Sequence, residues 1–451
     1  MRKLLMATAL AAVIASAGGA VAAEPTAAVD GQWDAVLSRN GVDIPFRLDI
    51  KGEGPSLQGV FYDGWTPYDA TTSASFKDGK LVLNIEHYLT TISATLKDGT
   101  LTGDVAAQNR ENAAQYSFHA VRHVDAAPIA NAPSIAGTWV IPLETPSSKG
   151  EKAFRFVAQQ RGAEVAGAIL RVDGDTGSYS GAFKDGKWVL SHFDGGRPGV
   201  IVVTPKADGT LEIRQQADRP GAAAQGAGGG DYAADAQSDG RYAPALTAYR
   251  EEIAKAKGLA EPDDFLTHTT ARDPNETFKF NFPDVNGRQV SNEDPDLKGK
   301  VVLAIVTGTW CPNCHDEAQY LVQLDKQYRS QGLAIVALDF EEPEQQSGLE
   351  RERAFVKQYG VKYTYLIAGA PAEMWEKVPQ LNHLDTWPAT VFIGRDGKVK
   401  AVHSGFASPA SGAFYSQLKT EFTGRIEQLL AEKVPARSCS IRPVNSVFSW
   451  L

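Results

Sequence analysis

The hydrophobic pattern splits the chain into a strand-rich first half and an α/β second half. From about residue 29 to 217, short β-type runs alternate with turn signals such as Asp78-Gly79, Asp98-Gly99, Asp185-Gly186 and Asp208-Gly209, the punctuation of hairpins. The same text is written twice. Gly31-Gln32-Trp33 recurs as Gly137-Thr138-Trp139, Phe46-Arg47 as Phe154-Arg155, and the run Ser75 to Leu83 as Ala182 to Leu190, at offsets of 106, 108 and 107 residues. Two collinear all-β modules are therefore expected, at 29–124 and 134–217, each with six or seven strands in a small sandwich or barrel. A Gly-x-Trp at the start of each copy also occurs in lipocalins. At about 95 residues, each copy is short for an eight-stranded ligand barrel, and a Trp plugging a β core is the simpler reading.

Residues 218–244 read as a flexible linker, because the Ala/Gly-rich run Gly221 to Gly230 cannot bury enough surface to offset its ordering entropy. Ala245 to Lys257 then reads as a short helix, opening a helical connector over 245–274. Beyond it the pattern changes. Val301 to Val306 and Leu333 to Leu338 are continuous apolar runs, as in strands buried on both faces. Between them, His315 to Gln331 carries Ala318, Leu321, Leu324 and Tyr328 on one helical stripe, giving a βαβ unit with a right-handed crossover. A hairpin follows at Thr390–Ile393 and Val399–Val402, then a helix across about 411–433.

Composition narrows the classes. The 451 residues are 43% hydrophobic, with 45 Lys+Arg against 54 Asp+Glu and a net charge of −9. That suits several packed domains, excludes a disordered chain, and argues against a general nucleic-acid binder. Residues 1–23 have the form of a secretory signal: Arg2 and Lys3, an apolar run from Leu4 to Ile14, and small residues before a cut after Ala23. A periplasmic or otherwise exported protein is expected, with no transmembrane segment in the mature chain. Three Cys in 451 residues are too few for a disulfide-stapled scaffold, which assigns Cys311 and Cys314 to chemistry.

Cys311-Pro312-Asn313-Cys314 sits where the first buried strand gives way to its helix. Unpaired N–H groups and the macrodipole favour an anion there, and a thiol of pKa about 8.5 falls to roughly 3.5–7.5 in such motifs. Pro312 suits a first helical turn. Two intervening residues let the sulfurs close a short-loop disulfide and exchange through a mixed disulfide. The alternatives are a bracing disulfide, a zinc site, which lacks a second Cys pair, and c-type haem, since Cys311-Pro-Asn-Cys314-His315 also fits C-x-x-C-H with Met374 as an imaginable axial ligand. The βαβ context opposes haem, so no cofactor is expected.

Lys298-Gly299-Lys300, the strand after it, Thr309 to Glu317, and Trp387-Pro388 followed by Ala389 to Ile393 and Arg395-Asp396-Gly397 together resemble the TlpA/ResA-like family of exported thioredoxin-fold thiol–disulfide oxidoreductases. The resemblance covers about 275–434 and leaves a tail at 435–451 with Cys439 unmatched. It implies that Cys311 attacks and Cys314 resolves, and that Glu317, a carboxylate one turn on, moves protons to or from Cys314. Pro388 falls on the family's cis-proline. The backbone of Trp387 then pairs with an extended substrate, with Trp310 and Pro312 beside it and Trp387 as a partly exposed lip. Gln319 stands where relatives often have Pro, His315 and Asp316 tune the field near the sulfurs, and His403 lies in a recurring segment with no assigned mechanism. Protein thiols or disulfides are the implied partners, with a membrane electron donor and a reductant role. Two other classes remain open at this point: an envelope-binding module carried by the β repeats, and a peroxide reductase.

Overall fold

The computed structural model describes residues 28–109, 112–125, 132–216, 244–342 and 348–433. The expected signal at 1–23, nearly all of the linker 218–244, and Cys439 lie outside the described residues.

Both β modules are up-and-down antiparallel sheets. In the first, nine strands run in order around the sheet, and the first, Gly31–Arg39, pairs with the last, Asn112–Arg122; the seam lies between Thr66–Ala70 and Ser73–Lys77. In the second, eight strands close completely, because Ala153–Arg161 pairs with both Gly137–Pro142 and Glu164–Arg171. The hairpins form where Asp and Gly both adopt positive φ, as at Asp78 and Gly79 (52° and 72°) and Asp185 and Gly186 (51° and 80°). That is the backbone a two-residue turn between right-twisted strands demands.

Two expectations need correction. Each module has more than six or seven strands, and the second is an eight-stranded barrel despite its short repeat. Its eighth strand lies beyond the linker: Leu246–Arg250 pairs with Leu211–Gln216 and with Trp139 and Val140. Residues 246–250 are therefore strand, not helix, and only Glu251–Ala256 is helical in the expected connector. Ala248, fully buried, faces the barrel core, and barrel closure overrides the local helical spacing.

The two tryptophans of the repeat occupy equivalent places. The indole N–H of Trp33 donates to Val29 O at 2.8 Å, and that of Trp139 donates to Ile135 O at 2.8 Å. Arg122 lies over the Trp33 ring at 4.1 Å, and Arg250 over the Trp139 ring at 3.9 Å. Each buried indole thus plugs one end of its module and is sealed by a cation from the last strand. Phe193 of the second module enters the first module's core, edge-on to Phe46 at 4.9 Å and to Phe61 at 5.7 Å, so the two modules share apolar packing.

The C-terminal part has a thioredoxin-like fold. Its five-stranded sheet runs Thr364–Gly369, Leu333–Phe340, Val301–Thr307, Ala389–Ile393, Val399–Ser404, with the first three parallel and the last two antiparallel. Val301–Thr307 is buried at every position, as its unbroken apolar run requires. Helices Pro312–Tyr328 and Ala413–Ala431 cover one face, where Leu321, Leu324 and Tyr328 meet Phe422 and Ile426. Phe278, Phe280 and Met374 help close the other. Gln319 leaves the active-site helix continuous through Tyr328. Among the described residues no helix is long and apolar enough to cross a membrane.

Candidate active site

Cys311 is the N-cap of the Pro312–Tyr328 helix, with φ −95° and ψ 112°. Extended backbone at this position turns the side chain back over the first helical turn. Its Sγ accepts the backbone N–H of Cys314 at 3.3 Å and donates to Trp387 O at 3.4 Å. The motif therefore places one sulfur on the Cys314 N–H, which the Cys311 carbonyl shares at 3.0 Å, and against the residue before Pro388. Pro312 occupies the first helical position, where its missing N–H costs nothing. Both cysteines are free thiols, 4% exposed at Cys311 and 1% at Cys314. Burial pushes the Cys314 thiol up, and its contact with Cys311 adds to the shift.

Three aromatic rings and a cis peptide frame the sulfurs. Trp387–Pro388 is cis. Trp310 and Trp387 are half-buried and meet edge-on at 5.0 Å; Trp387 also meets Phe340, and the Trp310 indole donates to Phe340 O at 2.9 Å. Glu317, fully buried, accepts a hydrogen bond at Oε1 from Thr390 Oγ1 on the strand after Pro388, while its Oε2 has no partner. Burial pushes the Glu317 carboxyl up to about 8, against a smaller lowering by Thr390. At neutral pH it holds a proton one helical turn beyond Cys314.

The rest of the first helical turn belongs to contacts that sequence reasoning missed. Asn313, His315 and Asp316 are all buried, with residues of the β modules packed against each of them. Asn313 donates from Nδ2 to Asp173 O at 2.8 Å and accepts at Oδ1 from Arg197 at 3.2 Å. Asp316 accepts from Tyr68 Oη at 2.9 Å and from Arg197 at 3.4 Å. Burial pushes the Asp316 carboxyl up to about 8, with Arg197 opposing. Burial works against charge on Arg197 and Asp194 as well, but their mutual ion pair at 2.6 Å outweighs it and keeps both ionised. No local signal marks Arg197, a single basic residue after Asp194-Gly195-Gly196; the pairing spans 116 residues.

His315 places Nε2 at 2.6 Å from Thr309 O and Nδ1 at 2.9 Å from Tyr359 Oη, under the rings of Tyr88 and His87. Burial and the neighbouring His87 hold its pKa well below the usual histidine range, so it stays neutral, donating from Nε2 and accepting at Nδ1. Neither nitrogen is available as the axial ligand that the haem alternative needs. On the other flank, Thr309 donates N–H and Oγ1–H to Glu341, which lies beside Asp339 and Glu352. Burial, then mutual repulsion, raises Asp339, and burial raises Glu352 to about 7, so the cluster holds less negative charge than three free carboxylates would. His403 is buried with Nδ1 at 3.1 Å from Gly405 O, stacked on Phe265 at 5.3 Å, and lowered by burial to about 4. Its place is in the core.

Residues 274–402 match the AhpC/TSA family. The thiol-disulfide oxidoreductase ResA of Bacillus thuringiensis (strain Al Hakam) is 32% identical over 120 residues, covering 27% of this chain and 62% of that protein. ResA of Halalkalibacterium halodurans is 30% identical over 146 residues, covering 31% of this chain and 73% of that protein. A thioredoxin-family thiol:disulfide interchange protein of Chlorobium tepidum TLS, known by crystal structure, is 23% identical and covers 36% of this chain and 99% of that one, at a TM-score of 0.28. The chain thus spans less than two thirds of the length of the first of these relatives, and the β modules lie outside the matched family segment.

Proposed function

The chain belongs, through its C-terminal domain, to the ResA family of thiol-disulfide oxidoreductases, and on that basis we propose that Cys311 and Cys314 exchange a dithiol for a disulfide with protein substrates, with this protein as reductant. The observation that carries the reading is the pairing of one N-cap sulfur with both the Cys314 N–H and the Trp387 carbonyl.

The steps follow from the placement. The Cys311 thiolate attacks one sulfur of a substrate disulfide. That S–S bond breaks, the far substrate sulfur leaves as a thiolate and takes up a proton, and a mixed disulfide remains on Cys311. Cys314 then gives up its proton to Glu317 in the fraction of molecules where that carboxyl is ionised, and attacks the Cys311 sulfur. The second substrate thiol is released, and Cys311 and Cys314 are left as a disulfide. Two electrons have passed to the substrate. Glu317 suits the proton step because its Oε2 is unpartnered and its pKa is about 8, within reach of a thiol's range.

Trp310, Pro312, Trp387 and Pro388 line the approach in this reading. The Trp387 carbonyl, engaged by the Cys311 thiol in the dithiol form, becomes free to accept an N–H from an extended substrate chain once the sulfur is committed. A second thiol within one helical turn favours disulfide exchange over peroxide reduction. Residues 1–23 support export to the periplasm, where a membrane-bound electron donor would restore the dithiol. The test is turnover of a peptide disulfide with an excess of small-molecule dithiol: the wild type accelerates reduction, and Cys311→Ala abolishes the acceleration. Equal rates for the two proteins would reject the assignment.

A further inference from the structure

We propose that the second β module is a working part of the redox centre: Arg197 and the Asp173–Gly174 turn hold Asn313, the residue next to Cys314 within the motif, and so set the dithiol–disulfide equilibrium of Cys311 and Cys314. The proposal rests on the thiol–disulfide reading above and gives the β module a role within it.

Asn313 is gripped at both ends of its amide. Oδ1 accepts from Arg197, and Nδ2 donates to Asp173 O. Both partners come from the closed barrel, and the residue they hold is 9% exposed.

The barrel turn is shaped for this contact. Gly174 has φ +115°, and a Cβ there would lie 2.7 Å from Asn313 Nδ2 and 2.3 Å from Phe406 O. Only glycine admits that approach. Gly174 forms a parallel bridge with Phe406. Next to it, the Asp175 carboxylate accepts from Ser408 N at 2.6 Å, Ser408 Oγ at 3.0 Å and Ser411 Oγ at 2.6 Å. The turn is therefore fastened to the thioredoxin-like domain on both sides of the clamp.

Arg197 is fixed as firmly. Its backbone adopts φ 42°, a left-handed conformation that non-glycine residues seldom hold without compensation. The compensation is a buried guanidinium shared among Asp194, Asp316 and Asn313.

The clamp bears on the equilibrium in two ways. Closing the disulfide brings the two sulfurs to bonding distance, and opening it separates them, so the residues between them must move. Asn313 can do so only by straining bonds to a different domain. In addition, Arg197 places a cation against the helical turn that carries Cys311 and Cys314. Without it, Asp194 keeps His192 at 3.2 Å but the turn loses its cation, and because the clamp is made with both thiols free, its loss disfavours the reduced form.

The experiment equilibrates the full chain with glutathione and its disulfide and measures the fraction of Cys311–Cys314 disulfide by alkylation and mass. The reaction is balanced: the protein disulfide and two glutathiones give the dithiol and one glutathione disulfide. Arg197→Met should shift the constant about tenfold toward the protein disulfide, about 30 mV for two electrons. Arg197→Lys, which keeps the charge and loses the fork, should shift it less. Asn313→Ala leaves the Arg197–Asp194 pair intact, so it tests the clamp even if Arg197→Met folds poorly. It should also favour the disulfide, and the double variant should shift less than the sum of the two single shifts. Variants within twofold of the wild type, or fully additive shifts, would overturn the clamp. A wild-type pair that forms no disulfide at any glutathione ratio would instead overturn the functional reading itself.

Discussion

Glu317→Gln replaces a buried titratable carboxyl with a neutral group of nearly the same shape. In the folded protein the carboxyl is pushed up to about 8 from an ordinary value of 4.5, first by burial, with Thr390 the one opposing influence. A folded pKa raised above the unfolded one means stability that is fully present below pH 4.5 and is lost as pH rises through about 8. Over that window the loss is about 1.4 kcal/mol per pH unit, for a total of ~5 kcal/mol. The glutamine variant lacks this loss. Asp316, Asp69 and Glu352 are also raised, but they titrate in both proteins, and none of them perturbs Glu317, so the difference isolates the single carboxyl. The assay is hydrogen exchange of the Val301–Thr307 amides, which opens with the core of the thioredoxin-like domain. Comparing the two dithiol proteins at the same pH cancels the intrinsic exchange rate. The variant should gain on the wild type steadily from about pH 5 to 8. A difference that stays constant across that range would show that Glu317 is not a buried acid, and the proton step assigned to it would fail.

Three further outcomes follow. Alkylation of the reduced protein should label Cys311 before Cys314, because burial pushes the Cys314 thiol up and leaves it 1% exposed; prior labelling of Cys314 would reverse their roles. Thr390→Val removes the hydrogen bond that lowers Glu317, so the pH profile of the resolving step, read by single-turnover release of the second substrate thiol, should move to higher pH, and an unmoved profile would count against Glu317 as the proton acceptor. Trp139→Ala empties the plug of the closed barrel and should destabilise the protein by about 3–5 kcal/mol in thermal or denaturant unfolding, whereas a cost below about 1 kcal/mol would mean that the indole is not a core element.

What the sequence reveals depends on distance along the chain. The Cys311–Cys314 motif, the buried strand before it and the helix after it are local, and their placement was readable from spacing and apolar runs. The presence of two β modules was readable because three segments recur at nearly one offset. Closure of the second barrel was not. Its last strand, Leu246–Arg250, pairs with residues over 100 positions earlier, and five residues cannot declare a distant partner against a helical continuation. The same holds at the site. Nothing in the helical pattern marks Asn313 and Asp316 as covered, since a pattern shows which face meets the helix's own domain and not which face a second domain covers. Arg197, Asp173 and Tyr68 reach the motif from 116, 140 and 248 residues away. Such contacts leave only a few buried polar residues as their trace, and in one sequence those look like surface.

The central claim is that Cys311 is the sulfur that bonds to substrate and Cys314 the one that resolves, and the most direct measurement is trapping. With Cys314 replaced by Ser, the full chain is mixed with a peptide that carries one disulfide, and the products are mapped by mass spectrometry without reductant. The account predicts a stable mixed disulfide joining Cys311 to one peptide cysteine, absent when Cys311 is also replaced. Peptide attached elsewhere, or no adduct with the peptide disulfide intact, would contradict it.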